Sequence, residues 1–468
     1  MNYTVYFSDS GITTKAGFGK VAHLPCIFDS RPGYHRLGSR YLIDRGLGVW
    51  TPKNRGMAVE AVAPSDQTIL NYAHWLANFL EWAELRGIDL FTCTYAEHVQ
   101  GRYQTEMLDG IWSRDAVGLK PSTINLRVQQ ACDFLTWMSD KGLRSPFHIA
   151  TETVRVKSRS ATSSVGHRSK EIEVRKGKVR QNKRRLRMPT DAQLDAWLGR
   201  VYGKAGDTKG LMCETILLTA MRREEVACWR VDTLPPEKKD WHINNPAAPR
   251  NQQQVQISIK FGTKGPGYGY DHGDKIGPVR SIWIPLELAE RLDEYRRKHR
   301  NSALRKWVKS VPASEQRRRI NEVVHLFLDE QTGARITSKH LYQAWTSAEL
   351  PFEGWSPHLG RDWWACSVLW RELKKHEHLL SLGVETATAL LESTAMSIIR
   401  LQIQPQLGHA HDSTTMIYLQ WVTDMLSVGL SVRYEAEHDN KFHLEINGER
   451  IADSELQERQ PQGKGTTG

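Results

Sequence analysis

The stretch LGHAHDSTTMIYLQW, at 407–421, gathers residue types that do chemistry: His409, His411, Asp412, a run of hydroxyls and Tyr418. Two imidazoles and a carboxylate can ligate a metal. An Asp-Ser-Thr run can cap an ordinary helix. A tyrosine set behind a histidine can be an enzyme nucleophile. The residues alone allow all three readings. Three other stretches carry comparable side chains. LLTAMRREEV (217–226) sets Arg222 and Glu225 three apart, on one face of an expected helix. FGTKG (261–265) puts Lys264 at an expected hairpin tip, and SPHLGRDWWACSVL (356–369) sets His358 and Arg361 three apart.

Taken together and in this order, the four stretches resemble the tyrosine recombinases, the phage-integrase family. That family's pattern is an arginine with an acidic residue three later, a hairpin lysine, His-x-x-Arg, Leu-Gly-His, and a tyrosine nine residues after that histidine. Here His409 and Tyr418 are nine apart, and STTMIY supplies the hydroxyl-rich approach. The likeness covers roughly residues 65–430, and several boxes in order are far more specific than any one alone. It implies Arg222, Lys264, His358, Arg361, His409 and Tyr418 as catalytic residues, with Glu225 in support. The sequence also departs from the pattern. Thr219-Ala220 stands where Thr-Gly is usual, and Arg223 beside Arg222 offers a shifted register that Glu225 disfavours. Gly360 and Asp362 stand where leucine and histidine are common. Lys260 and Lys275 are alternatives to Lys264 in the same hairpin. The 47 residues between Arg361 and His409 exceed the family's span, which places an insertion within LKKHEHLLSLGVETATALLES.

The resemblance implies a definite chemistry. A tyrosine of pKa about 10 is a weak nucleophile and needs a base, for which His358 is the candidate. Attack on a DNA phosphate builds charge on the non-bridging oxygens, and Arg222 and Arg361 can clamp these bidentately. Lys264 would protonate the leaving 5′-oxygen, and His409 would add a hydrogen bond to the phosphate. The product is a 3′-phosphotyrosine that keeps the diester's energy, so no ATP is needed. No metal and no other cofactor are expected, because the arginines supply the positive charge. On this reading His411 and Asp412 become turn and cap residues, KHEHL (375–379) becomes a solvated helix face, and Trp363 and Trp364 become core residues beneath Arg361.

These residues need a scaffold, and the rest of the chain suggests one. At 468 residues there is room for about three domains. The expected class is mainly α with a small β-sheet (α+β). Residues 1–64 are rich in glycine and aromatics, lack a long helical period and have no assigned role. Residues 65–150 read as a helical core-binding domain. Ser65 and Gly87 bound one helix carrying Ile69, Tyr72, Leu76 and Phe79 on a stripe, and Ile124, Val128, Ala131, Leu135 and Met138 form a second stripe. Arg127, Gln129 and Gln130 lie on the polar face of the second helix, residue types able to reach phosphates or base edges, and Arg127 is read as a DNA-binding residue. Residues 189–435 read as a catalytic domain opened by a Thr190-capped helix, with alternating strands over 254–286. Residues 436–468 form a polar tail in which KFHLEINGERI could make a small hairpin.

Charge points to the partner. Residues 154–188 hold thirteen Lys/Arg and two Glu, so this one segment carries the whole net +11 of the chain. A concentrated basic tract is the footprint of a polyphosphate partner. Residues 151–188 are accordingly read as a basic linker, with Arg175, Lys176, Lys178, Arg180, Lys183, Arg184, Arg185 and Arg187 as DNA-binding residues. No stretch approaches the ~18 apolar residues of a membrane span, and MNYTVYFSDS lacks the features of a secretory leader. The six scattered cysteines form no Cys-x-x-Cys pair and read as reduced thiols of a cytoplasmic protein, nucleoid-associated on DNA. The expectation is a site-specific recombinase or integrase of a mobile element, acting on double-stranded DNA as a homotetramer, with a partner recombinase or accessory protein possible. The alternatives are type IB topoisomerase-like relaxation, or a non-catalytic DNA-binding regulator on the same scaffold.

Overall fold

The computed structural model describes residues 3–52, 63–157, 169–181, 185–265, 267–375, 393–409, 415–422 and 424–425. It is mainly α-helical with small antiparallel sheets, the expected class. It divides into two compact units, Met1–Lys183 and Arg184–Gly468. No helix among the described residues is long and apolar enough to cross a membrane.

In the first unit, β1 (Thr4–Phe7) and β2 (Pro25–Phe28) pair antiparallel around α1 (Ser10–Lys15), and α2 (Arg36–Gly46) follows. The long helices α3 (Asp66–Leu85) and α5 (Pro121–Asp140) flank a π-helical segment (Tyr95–Gln104) that runs into α4 (Thr105–Leu108). Gly87, at φ 63, stops α3, and Pro121 opens α5 where its missing N–H is no loss. Both expected stripes face inward: Ile69, Leu76, Phe79, Ile124, Val128, Ala131, Leu135 and Met138 are buried, and Tyr72 is half-buried. Residues 3–50 share this core, for Ile27, Tyr41, Leu42 and Trp50 belong to the same apolar cluster as Phe79, Phe134 and Trp137. Helix α2 lies in the region without an evident helical period; beside buried Tyr41 and Leu42, glycines occupy two of its contact positions. A Cβ on Gly46 would stand 2.5 Å from Leu24 Cδ2, and one on Gly38 would stand 2.8 Å from His35 Nδ1.

The segment expected to be a basic linker contains β3 (Thr151–Lys157) paired antiparallel with β4 (Ser169–Arg175). TETVRVK and SKEIEVR each alternate apolar and polar residues, a strand pattern that dense charge obscures. Arg175 closes the ladder onto the helices. Its guanidinium donates to Tyr95 Oη at 2.7 Å, Gln104 Oε1 at 3.1 Å and Asn125 Oδ1 at 3.3 Å.

In the second unit, α6 (Asp191–Ala205) opens on a reciprocal cap between Thr190 and Gln193, and α7 (Asp207–Thr219) and α8 (Arg223–Ala227) follow. A four-stranded sheet holds β5 (Ile243–Asn244), β6 (Gln254–Phe261), β7 (Gly269–Asp271) and β8 (Asp274–Pro285) in the order β5-β6-β8-β7. Val255, Ile257 and Ile259 of β6, with Ile282 and Ile284 of β8, put one face of the sheet into the core. Next come α9 (Leu286–Arg297), α10 (His299–Lys309), α11 (Ala313–Glu322), α12 (Ser338–Ser347) and α13 (Pro357–Lys374). A π-helical turn (Ile399–Ile403), a short helix (Gln404–Leu407) and helical residues 415–422 complete the unit. Helix α13 borders two apolar clusters. Trp363 packs on the larger one, with Trp197, Trp345 and Trp355, and Trp364 packs on the smaller one, with Ile403, Leu407 and Tyr418. Most of the expected insertion (376–392), His411 and Asp412, and the tail with KFHLEINGERI lie outside the described residues.

Candidate active site

The site begins at a break between two helices. Helix α7 ends on Ala220 in the left-handed conformation (φ 54), the conformation that a glycine at this place takes without strain. Arg222 is then extended (φ −69, ψ 148) and caps α8. The expectation that Arg222 and Glu225 share a helix face is therefore corrected. Glu225 sits in the first turn of α8 and reaches back, accepting the Arg222 backbone N–H at 2.7 Å and its Nη1 at 2.8 Å. Arg223 turns elsewhere: its Nε donates to Ser338 Oγ at 2.8 Å and its guanidinium covers the Tyr342 ring.

Glu225 is 1% exposed and holds three arginines. Besides Arg222 it binds Arg280 of β8, whose Nη2 lies 2.6 Å from Oε2, and Arg361 of α13 lies at 3.9 Å. Burial alone would raise its pKa, but Arg280, then Arg222 and Arg361, hold the carboxyl below its ordinary value. Carbonyls at the end of the Gln404–Leu407 helix complete the cradle. Leu407 O accepts from Arg222 at 3.2 Å and from Arg361 at 2.9 Å, Gly408 O accepts from Arg222, and Gln406 O accepts from Arg280. Gln406 fixes that helix to its neighbours by donating to Thr219 O and Trp283 O and accepting from Trp283 N. Gly408 is required twice over. It has φ 63, and a Cβ there would stand 2.9 Å from Arg280 Cδ. Gly360 is matched as closely, since a Cβ would meet Trp345 at 2.6 Å.

Arg361 is 3% exposed, and its Nη1 makes no hydrogen bond. Burial, then the charge of Arg222, pushes its pKa down to about 10, so it stays a cation at neutral pH. His409 follows Gly408 with its Nδ1 buried and without a hydrogen bond. Burial first, then Arg361, Arg222, His358 and Arg280, pushes its pKa down to about 4, so the ring is neutral at pH 7 and can donate one hydrogen bond. His358 is exposed in the first turn of α13, close enough to His409 to act on its charge. Tyr418 is 2% exposed, and its hydroxyl donates to Asp362 Oδ1 at 2.8 Å. Burial, then the Asp362 charge and hydrogen bond, raises the phenol well above its ordinary pKa, and Arg361 acts against them.

The structure thus gathers Arg222, Glu225, Arg361 and His409 around one cradle, with Tyr418 beside Arg361. The lysines lie on the hairpin. Lys264 and Lys260 are exposed, and Lys275 Nζ donates to Gly265 O at 2.5 Å. Beneath the turn, buried Asp274 binds Arg230 at 2.8 Å, His325 at 2.6 Å and Arg335. Of the basic residues expected on DNA, Lys176, Lys178, Arg180, Arg185 and Arg187 are exposed. Arg127 is half-buried against Asn78, Arg175 is engaged as above, and Lys183 and Arg184 lie outside the described residues. No group of three potential metal ligands occurs among the described residues.

Sequence reasoning missed Arg280, Gln406 and Asp362. Arg280 had a legible signal: it shares a strand face with Ile282 and Ile284, and an arginine on an apolar face needs a buried partner. Asp362 was visible only as a departure from pattern, and Gln406 gave no signal.

No protein-family model matches the chain, and no curated protein does. Among solved structures it is similar to the Tn1549 transposon integrase in complex with transposon right end DNA, at 13% identity and a TM-score of 0.43, covering 84% of this chain and 98% of that one. It is also similar to the XerH site-specific recombinase bound to difH substrate, at 16% identity and a TM-score of 0.40, covering 84% and 94%. A third is a lambda integrase dimer bound to a COC′ core site, at 12% identity and a TM-score of 0.41, covering 82% and 94%.

Proposed function

We propose that this chain is a site-specific DNA recombinase of the tyrosine class, an integrase that cuts and rejoins DNA through Tyr418 and a 3′-phosphotyrosine link. The observation that carries the reading is the cradle. Three arginines share a single buried carboxylate, Arg361 keeps a buried Nη1 without a hydrogen bond, and the neutral ring of His409 adjoins them. Such a cluster attracts an anion with geometry fixed in advance. A diester phosphate placed there would meet Arg222, Arg361 and His409, with the nucleophile beside Arg361. Arg280 joins them as a residue that shapes the cradle through Glu225. Lys264, or Lys260 or Lys275 of the same hairpin, would protonate the leaving 5′-oxygen. Exposed Lys176, Lys178, Arg180, Arg185 and Arg187 would follow the DNA backbone.

The biological setting that fits is a mobile element, with a tetramer assembled on two DNA sites and the protein associated with the nucleoid. The test starts from a random duplex pool from which the full chain selects its site. The selected sequence is then rebuilt as a nicked suicide duplex. A covalent protein–DNA adduct is expected with the wild-type chain and none with Tyr418→Phe. An adduct that persists in Tyr418→Phe removes the nucleophile assignment, and no adduct with the wild type leaves a DNA-binding regulator. Relaxation of any supercoiled plasmid, without a requirement for the selected site, would replace recombinase by topoisomerase.

A further inference from the structure

We propose that Asp362 is the proton acceptor for the Tyr418 hydroxyl, a catalytic residue at the reacting atom; this rests on the reading of Tyr418 as nucleophile. The hydroxyl donates to Asp362 Oδ1 at 2.8 Å, and the two residues are 2% and 4% exposed. Tyr418 belongs to an apolar cluster with Ala220, Ala365, Cys366, Leu369 and Leu407, all buried, so little water reaches its hydroxyl to compete as acceptor. Asp362 also follows Arg361 directly on α13. One turn of one helix therefore presents a guanidinium toward the phosphate cradle and a carboxylate to the nucleophile, each held by its own hydrogen bond.

The state of the phenol supports the same role. Burial and the neighbouring carboxylate keep it protonated, so Tyr418 is not ionised ahead of attack. The proton must then leave as the bond to phosphorus forms, and it needs an acceptor already within hydrogen-bond reach. In the resulting step the Tyr418 Oη–P bond forms and the P–O5′ bond breaks. The hydroxyl proton passes to Asp362, and the leaving 5′-oxygen takes a proton from the hairpin lysine. Rejoining reverses both transfers. In this step Asp362 takes the part that the resemblance gave to His358, which is exposed in the first turn of α13.

Single-turnover cleavage of the selected suicide duplex tests this, run with the ordinary 5′-oxygen and with a 5′-bridging sulfur, a leaving group that needs no proton. Asp362→Asn keeps the size and a hydrogen-bond acceptor but not the basicity. It is expected to slow cleavage roughly 100- to 10,000-fold on both substrates, the usual range for a positioned base, with DNA binding unchanged. Asp362→Glu should recover part of the rate. If Asp362→Asn cleaves both substrates at the wild-type rate, or if the sulfur substrate erases its defect, the proposal fails. The wild-type chain supplies an independent measurement: cleavage of the sulfur substrate should slow in D2O, since the only proton in flight is that of Tyr418. Absence of that isotope effect also overturns the proposal. An adduct surviving in Tyr418→Phe would instead sink the nucleophile reading, so the two failures are distinct.

Discussion

Glu225→Gln tests whether one carboxylate organises the arginine cluster. The side chain is 1% exposed, accepts from Arg222 twice and from Arg280, and has Arg361 at 3.9 Å. The amide keeps the shape but removes the charge, leaving three guanidiniums without their counter-ion. Breaking one partner of a buried ionic cluster costs about 3–5 kcal/mol. For a unit of this size each kcal/mol moves the melting temperature by about 2–4 °C, so a fall of roughly 6–20 °C is expected. The assay is urea unfolding of wild type and variant across pH, read by tryptophan fluorescence. The sign follows from the direction of the shift. The carboxyl of Glu225 is held below its unfolded value of about 4.3, so its contribution is complete above that value and is lost as pH falls through the folded-state pKa. The gap between the two proteins should therefore be constant from about pH 7 to pH 5 and shrink in more acidic solution. A gap below about 1 kcal/mol at pH 7 would refute the reasoning, because an exposed ion pair would give that little.

Gly408→Ala forces a side chain into a left-handed position and against Arg280 Cδ; it should lower stability by about 1–2 kcal/mol and reduce adduct formation more than tenfold, measured by denaturation and by suicide-substrate trapping. Arg175→Ala should destabilise the first unit without changing the salt dependence of DNA binding, because its donors are engaged by Tyr95, Gln104 and Asn125. Neutralising exposed Lys178 and Arg180 should do the reverse, lowering the slope of log K against log salt by about 0.9 for each phosphate that these side chains neutralise.

What could be read in the sequence was what local spacing encodes. The stripes of α3 and α5, the cap at Thr190 and the alternation of β6 and β8 are short-range patterns, and the structure contains each of them. Arg222, Arg361, His409 and Tyr418 could be picked out through the resemblance of their stretches to the recombinase pattern, whose elements are short and local. What stayed hidden depends on contacts distant in sequence. Arg280, legible as an arginine on an apolar strand face, finds its partner only when β8 crosses the start of α8, 55 residues away, and Asp362 only when Tyr418 docks against α13, 56 residues away. Helix α2 was hidden for a different reason: close packing at Gly38 and Gly46 leaves only Tyr41 and Leu42 as fully buried large side chains, too few to mark its period. The strands β3 and β4 were masked by charge, which reads as solvated linker before it reads as strand.

The ratio of three arginines to one glutamate has a thermodynamic consequence. Arg222, Arg280 and Arg361 against Glu225 leave two positive charges in excess. A phosphodiester at rest brings one negative charge, and the five-coordinate arrangement it passes through during exchange of its bonds brings a second. On the proposed reading, that second charge is moved from the Asp362 carboxylate, which takes the Tyr418 proton, onto the phosphate oxygens. The arginines therefore meet their full complement of negative charge only in that passing arrangement, and part of their attraction is released where the barrier stands.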